Sequence, residues 1–494
     1  MDMNKLAIII VIASAVVMFW KIDRYPISVS IYEGVSGLRA IELMDGDAKA
    51  KTAIWGKPLQ SQIGGGSGAG SANNNPFVVY PMSFLMKKLG CRDGYLTLRM
   101  VSILYAVASV WMIYLVGSKM FTPEVGLVSA ALLGASSIFL AYSRVALGIS
   151  AAIFFSLLCV WMLFSIDRPY RSLWYVLLGG LTALATYFYL PARVMFPLIV
   201  FSIVVRMAVE RGYFSRSWQY LVLLIAGFLI SLHLQGGDWH TFIDTNVPMS
   251  FGAWVRFPQD DFLTVLLRNV TVVYRGLFVH WGWGESAIAE RSGSFDAVTK
   301  YALAAGIAWS FFNIEKPRYR FLLLWMAACF LPAVLTTPEV RRAVLVIAPV
   351  CLLAAVGICC PVRFLFSWTG RAKPVIVLIL AVPVVYLSAT LNLDNYFGLY
   401  AGAEKNPHSQ FVMKKLRREK VVGMVGRYTV YTDLFCSEYG WPQSMAYEAR
   451  RRGFAADRIV TTNSTLIRKR FDTADAPCVL VLSSGEVEIR EAEK

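Results

Sequence analysis

One acid, Glu33, stands where the first apolar run of the chain gives way to a polar segment. It lies in the stretch 21–47, KIDRYPISVSIYEGVSGLRAIELMDGD, at the head of a pattern that predicts a short amphipathic helix. A carboxylate at a membrane surface can accept a proton from a substrate that arrives from water while a second substrate arrives from the bilayer. Glu33 is therefore a candidate general base. A solvated or helix-capping acid remains the alternative.

Four arginines stand at the ends of different apolar runs: Arg144, Arg193, Arg341 and Arg342. An arginine at that depth is costly and usually has a partner. Its planar guanidinium matches the geometry of phosphate oxygens. If the four ends meet at one membrane face, they would bind the phosphate or diphosphate of a lipid. Each arginine taken singly could instead extend into the lipid headgroups.

A second cluster, His280 and Glu285, lies in LFVHWGWGESAIAERSG. Such a pair could bind an acceptor, a sugar or a divalent cation, while interfacial anchoring is the simpler explanation for the tryptophans. No metal-ligand spacing is diagnostic, so a divalent cation is the one cofactor that we keep as an alternative. The chain has no P-loop or GxGxxG motif, and nucleotide-dependent chemistry is not supported.

The elements that must position these residues are membrane helices. Of the 494 residues 57% are hydrophobic and only 16% are charged, and apolar runs near 20 residues recur along the chain. They predict about eleven spans, near 5–20, 97–117, 123–141, 149–166, 173–190, 194–209, 217–234, 297–313, 320–337, 341–359 and 374–392. The net charge of +16 then indicates membrane topology and anionic lipid or phosphate partners rather than nucleic acid.

Loop charge predicts the orientation. With a cytoplasmic N-terminus, the short basic loops fall inside and the long segments 21–96, 235–296 and 393–494 fall outside. We therefore predict an α-helical polytopic domain at 1–395, with outer loops at 21–96 and 235–296. After it, charged residues become frequent and short apolar runs alternate with a helix-like stretch, which predicts a small extracytoplasmic α/β domain at 396–494.

Several motifs, in their order, resemble the GT-C superfamily of polytopic glycosyltransferases, in the bacterial branch related to protein O-mannosyltransferases and the lipid A aminoarabinose transferase. The matching motifs are SIYEGVSGLRAIELMDG, Asn75-Pro76 with Phe77–Pro81, LTLRMVSILYAV, AYSRVALG, YFYLPARVMFP and VRRAVLVIAP, within roughly residues 1–395. The family usually has two adjacent acids in the first motif, whereas here Tyr32 precedes Glu33.

The resemblance implies an inverting glycosyltransferase at the outer face of the bacterial inner membrane. The donor would be a polyprenyl-phosphate-linked sugar, and the acceptor a protein, a lipid or a glycan. Glu33 would be the base, and the four arginines would stabilise the departing lipid phosphate. A transporter or flippase for a polyprenyl-linked lipid, without bond cleavage, is the alternative. Such folds usually show internal repeats and polar residues at mid-membrane, neither of which the sequence contains.

Overall fold

Each apolar run that the sequence predicts to cross a membrane contains a helix in the computed structural model of the chain. The structure describes residues 2–26, 31–46, 76–89, 95–165, 171–209, 213–234, 262–279, 295–335, 340–398, 401, 405, 429–433, 459–462, 478–481 and 487–490. The helices, numbered along the chain, are α1 (Met3–Phe19), α2 (Ile31–Met44), α3 (Pro76–Leu89), α4 (Tyr95–Met120), α5 (Pro123–Ala135), α6 (Ser137–Ser143), α7 (Ile149–Leu163), α8 (Arg171–Phe188), α9 (Met195–Val209), α10 (Tyr213–Leu234), α11 (Phe262–Tyr274), α12 (Ala297–Phe312), α13 (Pro317–Val334), α14 (Ile347–Leu365) and α15 (Lys373–Leu393).

Several helical segments are long and apolar enough to cross a membrane. In the described part of the chain these are Leu96–Met120, Pro191–Ala208, Val340–Leu365 and Pro374–Gly398. The helices α5 and α6 pass the same test together but are bent by 63°. The chain is thus a multi-pass membrane protein, and the number of about eleven spans stays a prediction.

Two predicted spans begin differently from the sequence pattern. The run predicted at 341–359 starts with a 3-10 segment, Val340–Val346, and α14 begins only at Ile347. A second 3-10 segment, Leu190–Val194, lies between α8 and α9, where Pro191 occupies its first turn. Both segments contain arginines: Arg193 in the second, and Arg341 and Arg342 in the first.

The helix α14 is the centre of the bundle and packs against α5 and α12. Gly306 of α12 and Gly357 of α14 permit this approach, since a Cβ on Gly357 would lie 2.2 Å from the carbonyl oxygen of Ala302. Small residues let helix backbones come close where the hydrophobic effect between helices is absent.

An ion pair defines one end of the bundle. Arg363, near the end of α14, donates through Nη1 to Oε1 of Glu124, in the first turn of α5, at 3.0 Å. The two helices therefore run antiparallel. The end of α5 and the beginning of α14 then lie together at the opposite end of the bundle. The segments that contain Arg144, Arg341 and Arg342 lie toward that end too.

Beyond residue 405, the structure describes four strands of one sheet: β1 (Thr429–Asp433), β2 (Ile459–Thr462), β3 (Cys478–Val481) and β4 (Val487–Arg490). Their order is β2-β1-β3-β4, with β1 parallel to β2 and β3, and β4 antiparallel to β3. Parallel pairing requires crossover connections. The strands fit the predicted α/β domain at 396–494, whose connections lie outside the described residues.

Candidate active site

Glu33 lies in the first turn of α2 with its side chain fully buried. Its Oε1 accepts a hydrogen bond from Nε of Arg99 at 2.9 Å and another from the backbone N–H of Ala146 at 3.3 Å. The carboxylate is thus bound to α4 and to the turn after α6. Burial of an ionised carboxylate is tolerated here because a guanidinium of opposite charge lies against it.

Arg99 is a buried residue of the candidate site that the sequence interpretation missed. It sits in α4, within the motif LTLRMVSILYAV, and its side chain is also 0% exposed. Beyond Glu33, its Nη1 donates to the carbonyl oxygens of Ile22 at 3.0 Å and of Pro26 at 3.3 Å. The signal was present in the sequence, because an arginine inside an apolar run requires a partner of opposite charge.

Arg144 is fully buried in the turn after α6. Its Nη1 donates to the carbonyl oxygens of Val17 and Met18 at 3.1 and 3.0 Å, and its Nη2 to that of Tyr25 at 3.1 Å. Val17 and Met18 belong to the last turn of α1, where the carbonyl groups carry partial negative charge. Arg144 therefore caps α1.

Two aromatic side chains cover the other side of Arg144. The centroids of the Tyr396 and Phe397 rings lie 5.5 and 5.2 Å from its guanidinium carbon, a cation–π geometry. Both residues belong to the π-helical turn Asp394–Gly398, which follows α15. With backbone carbonyls and two rings around it, Arg144 has the contacts of a framework residue.

Arg193, Arg341 and Arg342 occupy the two 3-10 segments defined above, and these segments pack against each other. The hydroxyl of Tyr189, just before the first segment, donates to the carbonyl oxygen of Arg341 at 2.6 Å. Arg193 is 6% exposed, whereas Arg341 and Arg342 are half-buried. Three of the four predicted arginines thus stand on adjoining turns.

The turn that holds Glu33 contacts the end of α8, which leads into the first arginine segment. A Cβ on Gly148, two residues after Ala146, would lie 2.4 Å from the carbonyl oxygen of Phe188. Phe188 immediately precedes Tyr189, whose hydroxyl holds Arg341. Contacts therefore run without a break from Glu33 through the 144–148 turn to the segments with Arg193 and Arg341. His280 and Glu285 lie outside the described residues.

Comparisons with known proteins point to one fold. A family model described as dolichyl-phosphate-mannose-protein mannosyltransferase matches residues 74–235. The archaeal oligosaccharyltransferase AglB from Archaeoglobus fulgidus, in complex with an inhibitory peptide and a dolichol-phosphate, is 14% identical with a TM-score of 0.54, covering 91% of this chain and 64% of that one. ArnT from Cupriavidus metallidurans in the apo state is 13% identical with a TM-score of 0.51, covering 97% and 93%. No curated protein sequence matches the chain significantly.

A third structure bears on metal binding. The Archaeoglobus fulgidus oligosaccharyltransferase in complex with zinc and sulfate is 12% identical with a TM-score of 0.53, covering 93% of this chain and 62% of that one. The chain thus spans slightly less than two thirds of the archaeal enzymes' length. At these identities the likeness establishes the fold alone. Together with the family match over residues 74–235, it confirms the resemblance to the GT-C superfamily predicted from the motifs.

The described part of the site does not fit a metal ion. Across the described ranges, no three His, Cys, Asp or Glu side chains come together. Glu33, the acid of the first motif, has a cationic side chain and a backbone N–H as its neighbours, and both repel a cation. No step proposed below therefore involves a metal.

Proposed function

We propose that this chain, which has the GT-C fold, is an inverting glycosyltransferase. It would move a sugar from a polyprenyl-phosphate donor to an acceptor hydroxyl at the outer face of the bacterial inner membrane. Two similarities support the donor class: the match of residues 74–235 to a family that transfers mannose from dolichyl phosphate, and the dolichol-phosphate bound by the archaeal enzyme of the same fold. The N-terminus would be cytoplasmic and the C-terminal domain extracytoplasmic, as the loop charges predict.

The observation that carries the proposal is the packing of two arginine-bearing turns beside the turn that holds Glu33. Arg193 comes from one turn, and Arg341 and Arg342 come from the other. Guanidinium groups from separate elements at a membrane surface match a lipid phosphate in charge and in hydrogen-bond geometry. We assign the phosphate to these three arginines.

The reaction would be one displacement at the anomeric carbon. The acceptor oxygen forms a bond to that carbon and loses its proton, while the bond between the carbon and the phosphate oxygen breaks. The electron pair leaves with the lipid phosphate, whose negative charge increases as the bond opens. Arginines positioned before the reaction stabilise that charge more effectively than water would, because they need no reorganisation. A single displacement inverts the anomeric configuration.

The contacts suggest framework roles for the other two predicted residues. Arg144 directs its Nη donors at three backbone carbonyls and would hold the end of α1. Glu33 would act as the counter-ion that joins Arg99 to the 144–148 turn. A general base must reach the hydroxyl proton, and the carboxylate of Glu33 is 0% exposed. The proton would then pass to a group of the outer segments, where Glu285 is a candidate.

The experiment compares arginine variants in purified protein. Wild type, Arg193→Gln, Arg341→Gln and Arg342→Gln are each given a polyprenyl-phosphate sugar pool and a membrane extract as acceptor. Release of the lipid phosphate and formation of a new glycoside are measured together with binding of the lipid phosphate alone. We expect each variant to lose about 10²- to 10³-fold in turnover, as when one preorganised donor is removed from an active site, and to bind the lipid phosphate more weakly.

Arg363→Gln is the matched control, because Arg363 is also a partly buried arginine but lies at the opposite end of the bundle. It should keep wild-type lipid binding and turnover per folded molecule. Equal losses in all four variants would refute the assignment of the phosphate site. Movement of the lipid across a vesicle membrane without release of its sugar would refute glycosyl transfer and favour the flippase alternative.

A further inference from the structure

Asp296 joins the beginning of α12 to α15. It is the N-cap of α12 and is 4% exposed, and its Oδ1 accepts the backbone N–H of Thr299 at 3.0 Å. Its Oδ2 accepts from the hydroxyl of Ser388 at 2.9 Å and from Nδ2 of Asn392 at 2.7 Å, both on α15. The hydroxyl of Thr299 also donates to Oδ2. Every one of these four donors is electrically neutral.

Asn392 extends the network to α6. Its Oδ1 accepts the backbone N–H of Ser137, the first residue of α6, at 3.1 Å. Ser136, at the N-cap position of α6, makes no capping hydrogen bond with its own side chain. An amide from α15 therefore satisfies one of the first N–H groups of α6, which have no partner within the helix. The bend between α5 and α6 is thus held from α15.

The two elements joined by this network meet again at Arg144. Helix α6 ends at Ser143, directly before Arg144, and α15 continues into the turn that carries Tyr396 and Phe397. These two rings lie over the Arg144 guanidinium. The network therefore joins α6 to α15 a short distance before the point where Arg144, which follows α6, meets the two rings that follow α15.

The network is also attached to an outer segment. Asp296 ends the segment 235–296, and the backbone N–H of Phe295 donates to the carbonyl oxygen of Leu277 at 3.2 Å. On the other side, α15 leads toward the C-terminal strands. A buried carboxylate that is fully hydrogen-bonded favours one arrangement of its neighbours, because any displacement leaves a buried polar group unsatisfied.

We propose that Asp296 is a positioning residue for the transfer reaction. Its carboxylate fixes the position of α6 relative to α15. Through Arg144 and Ala146 it thereby holds the 144–148 turn, which lies beside Glu33 and the phosphate-binding arginines. This inference rests on the proposed function. It adds a connection by which residues 295–296 and the end of α15 are held in register with the site.

The test uses the donor and acceptor pattern of the network. In Asp296→Asn, the amide NH₂ group would replace an oxygen that accepts hydrogen bonds. In either orientation it would face a donor, which is Nδ2 of Asn392 in one and the backbone N–H of Thr299 in the other. Asn392 cannot turn to relieve this contact, because its oxygen holds the N–H of Ser137 and its NH₂ group also donates to the carbonyl oxygen of Ser388 at 2.9 Å. We expect the variant to lose on the order of 10- to 100-fold in kcat at a nearly unchanged KM for the donor.

Glu124→Gln is the matched control, because Glu124 is another buried acid in the first turn of a helix, at the opposite end of the bundle. It should lower stability without changing kcat per folded molecule. Hydrogen exchange gives a readout that does not depend on activity. In Asp296→Asn, exchange should accelerate in α6 and in residues 388–398 while α8 and α10 stay as in wild type.

The outcomes separate the two proposals. If wild type transfers no sugar but hydrogen exchange accelerates in Asp296→Asn as expected, the proposed function fails. The role of Asp296 in holding α6 against α15 then still stands. If Asp296→Asn keeps wild-type kcat, or if hydrogen exchange in α6 stays as in wild type, Asp296 has no positioning role. Uniform acceleration of exchange over all helices would indicate a general loss of stability and would also overturn the inference.

Discussion

Replacing Glu33 with Gln would remove the negative charge that faces Arg99 inside the protein. Both side chains are 0% exposed, and Nε and Oε1 lie 2.9 Å apart. Removal of one partner from a buried ion pair costs about 3–5 kcal/mol, since the other charge stays buried without compensation. Gln keeps an oxygen that can accept hydrogen bonds from Arg99 and from Ala146. We therefore expect the free energy of unfolding to fall by the lower end of this range, about 3 kcal/mol.

Arg99→Gln should cost more, about 5 kcal/mol, because Ile22 and Pro26 also lose the donors to their carbonyl oxygens. In the double variant neither buried charge remains. Its loss in the free energy of unfolding should therefore be smaller than the sum of the two single losses, with a coupling energy of about 2 kcal/mol. Denaturant unfolding in detergent measures all three variants, and sugar transfer is assayed on the folded fraction.

The double variant distinguishes a framework acid from a general base. If Glu33 is a framework counter-ion, the double variant should recover part of the activity that Glu33→Gln loses, because the turn at Ala146 returns to its place. If Glu33 is the base, adding Arg99→Gln cannot restore activity, because the carboxylate that accepts the proton is still absent. The reasoning is refuted if Glu33→Gln is as stable as wild type, transfers no sugar and stays inactive with Arg99→Gln added. Glu33 would then be the base that the resemblance implies.

Two further predictions concern the turn after α6. Arg144→Gln should lower the free energy of unfolding by about 3 kcal/mol, since buried carbonyl oxygens lose their donors. Affinity for the lipid phosphate, measured by titration, should stay within about twofold, a change of less than 1 kcal/mol, and a large loss of affinity at unchanged stability would place Arg144 in the phosphate site after all. Gly148→Ala should cost about 1–3 kcal/mol and reduce transfer, because its Cβ would lie 2.4 Å from the carbonyl oxygen of Phe188. Gly180→Ala is its control, with no atom nearer than 3.8 Å to the added Cβ, and it should be neutral in unfolding and in transfer.

The sequence alone determined the helices, because a membrane requires runs of apolar residues and a backbone that satisfies its own hydrogen bonds. It also located three of the four strands: the apolar runs at Tyr428–Tyr431, Arg458–Thr461 and Cys478–Leu482 overlap β1, β2 and β3. The strand β4 was missed although VEIR alternates apolar and charged residues, because this strand pattern covers only four residues. The order of the motifs was sufficient to identify the GT-C fold.

The interior contacts of the polar residues were decided only by the tertiary structure. Arg99 and Glu33 are 66 positions apart, and Asp296 and Asn392 are 96 apart. No periodic pattern links residues at such separations. The sequence shows that a buried charge needs a partner, but the choice of partner depends on which helices pack together. The same reason explains why the sequence grouped Arg144 with Arg193, Arg341 and Arg342. All four stand at the end of an apolar run, and only the folded chain shows that Arg144 caps α1.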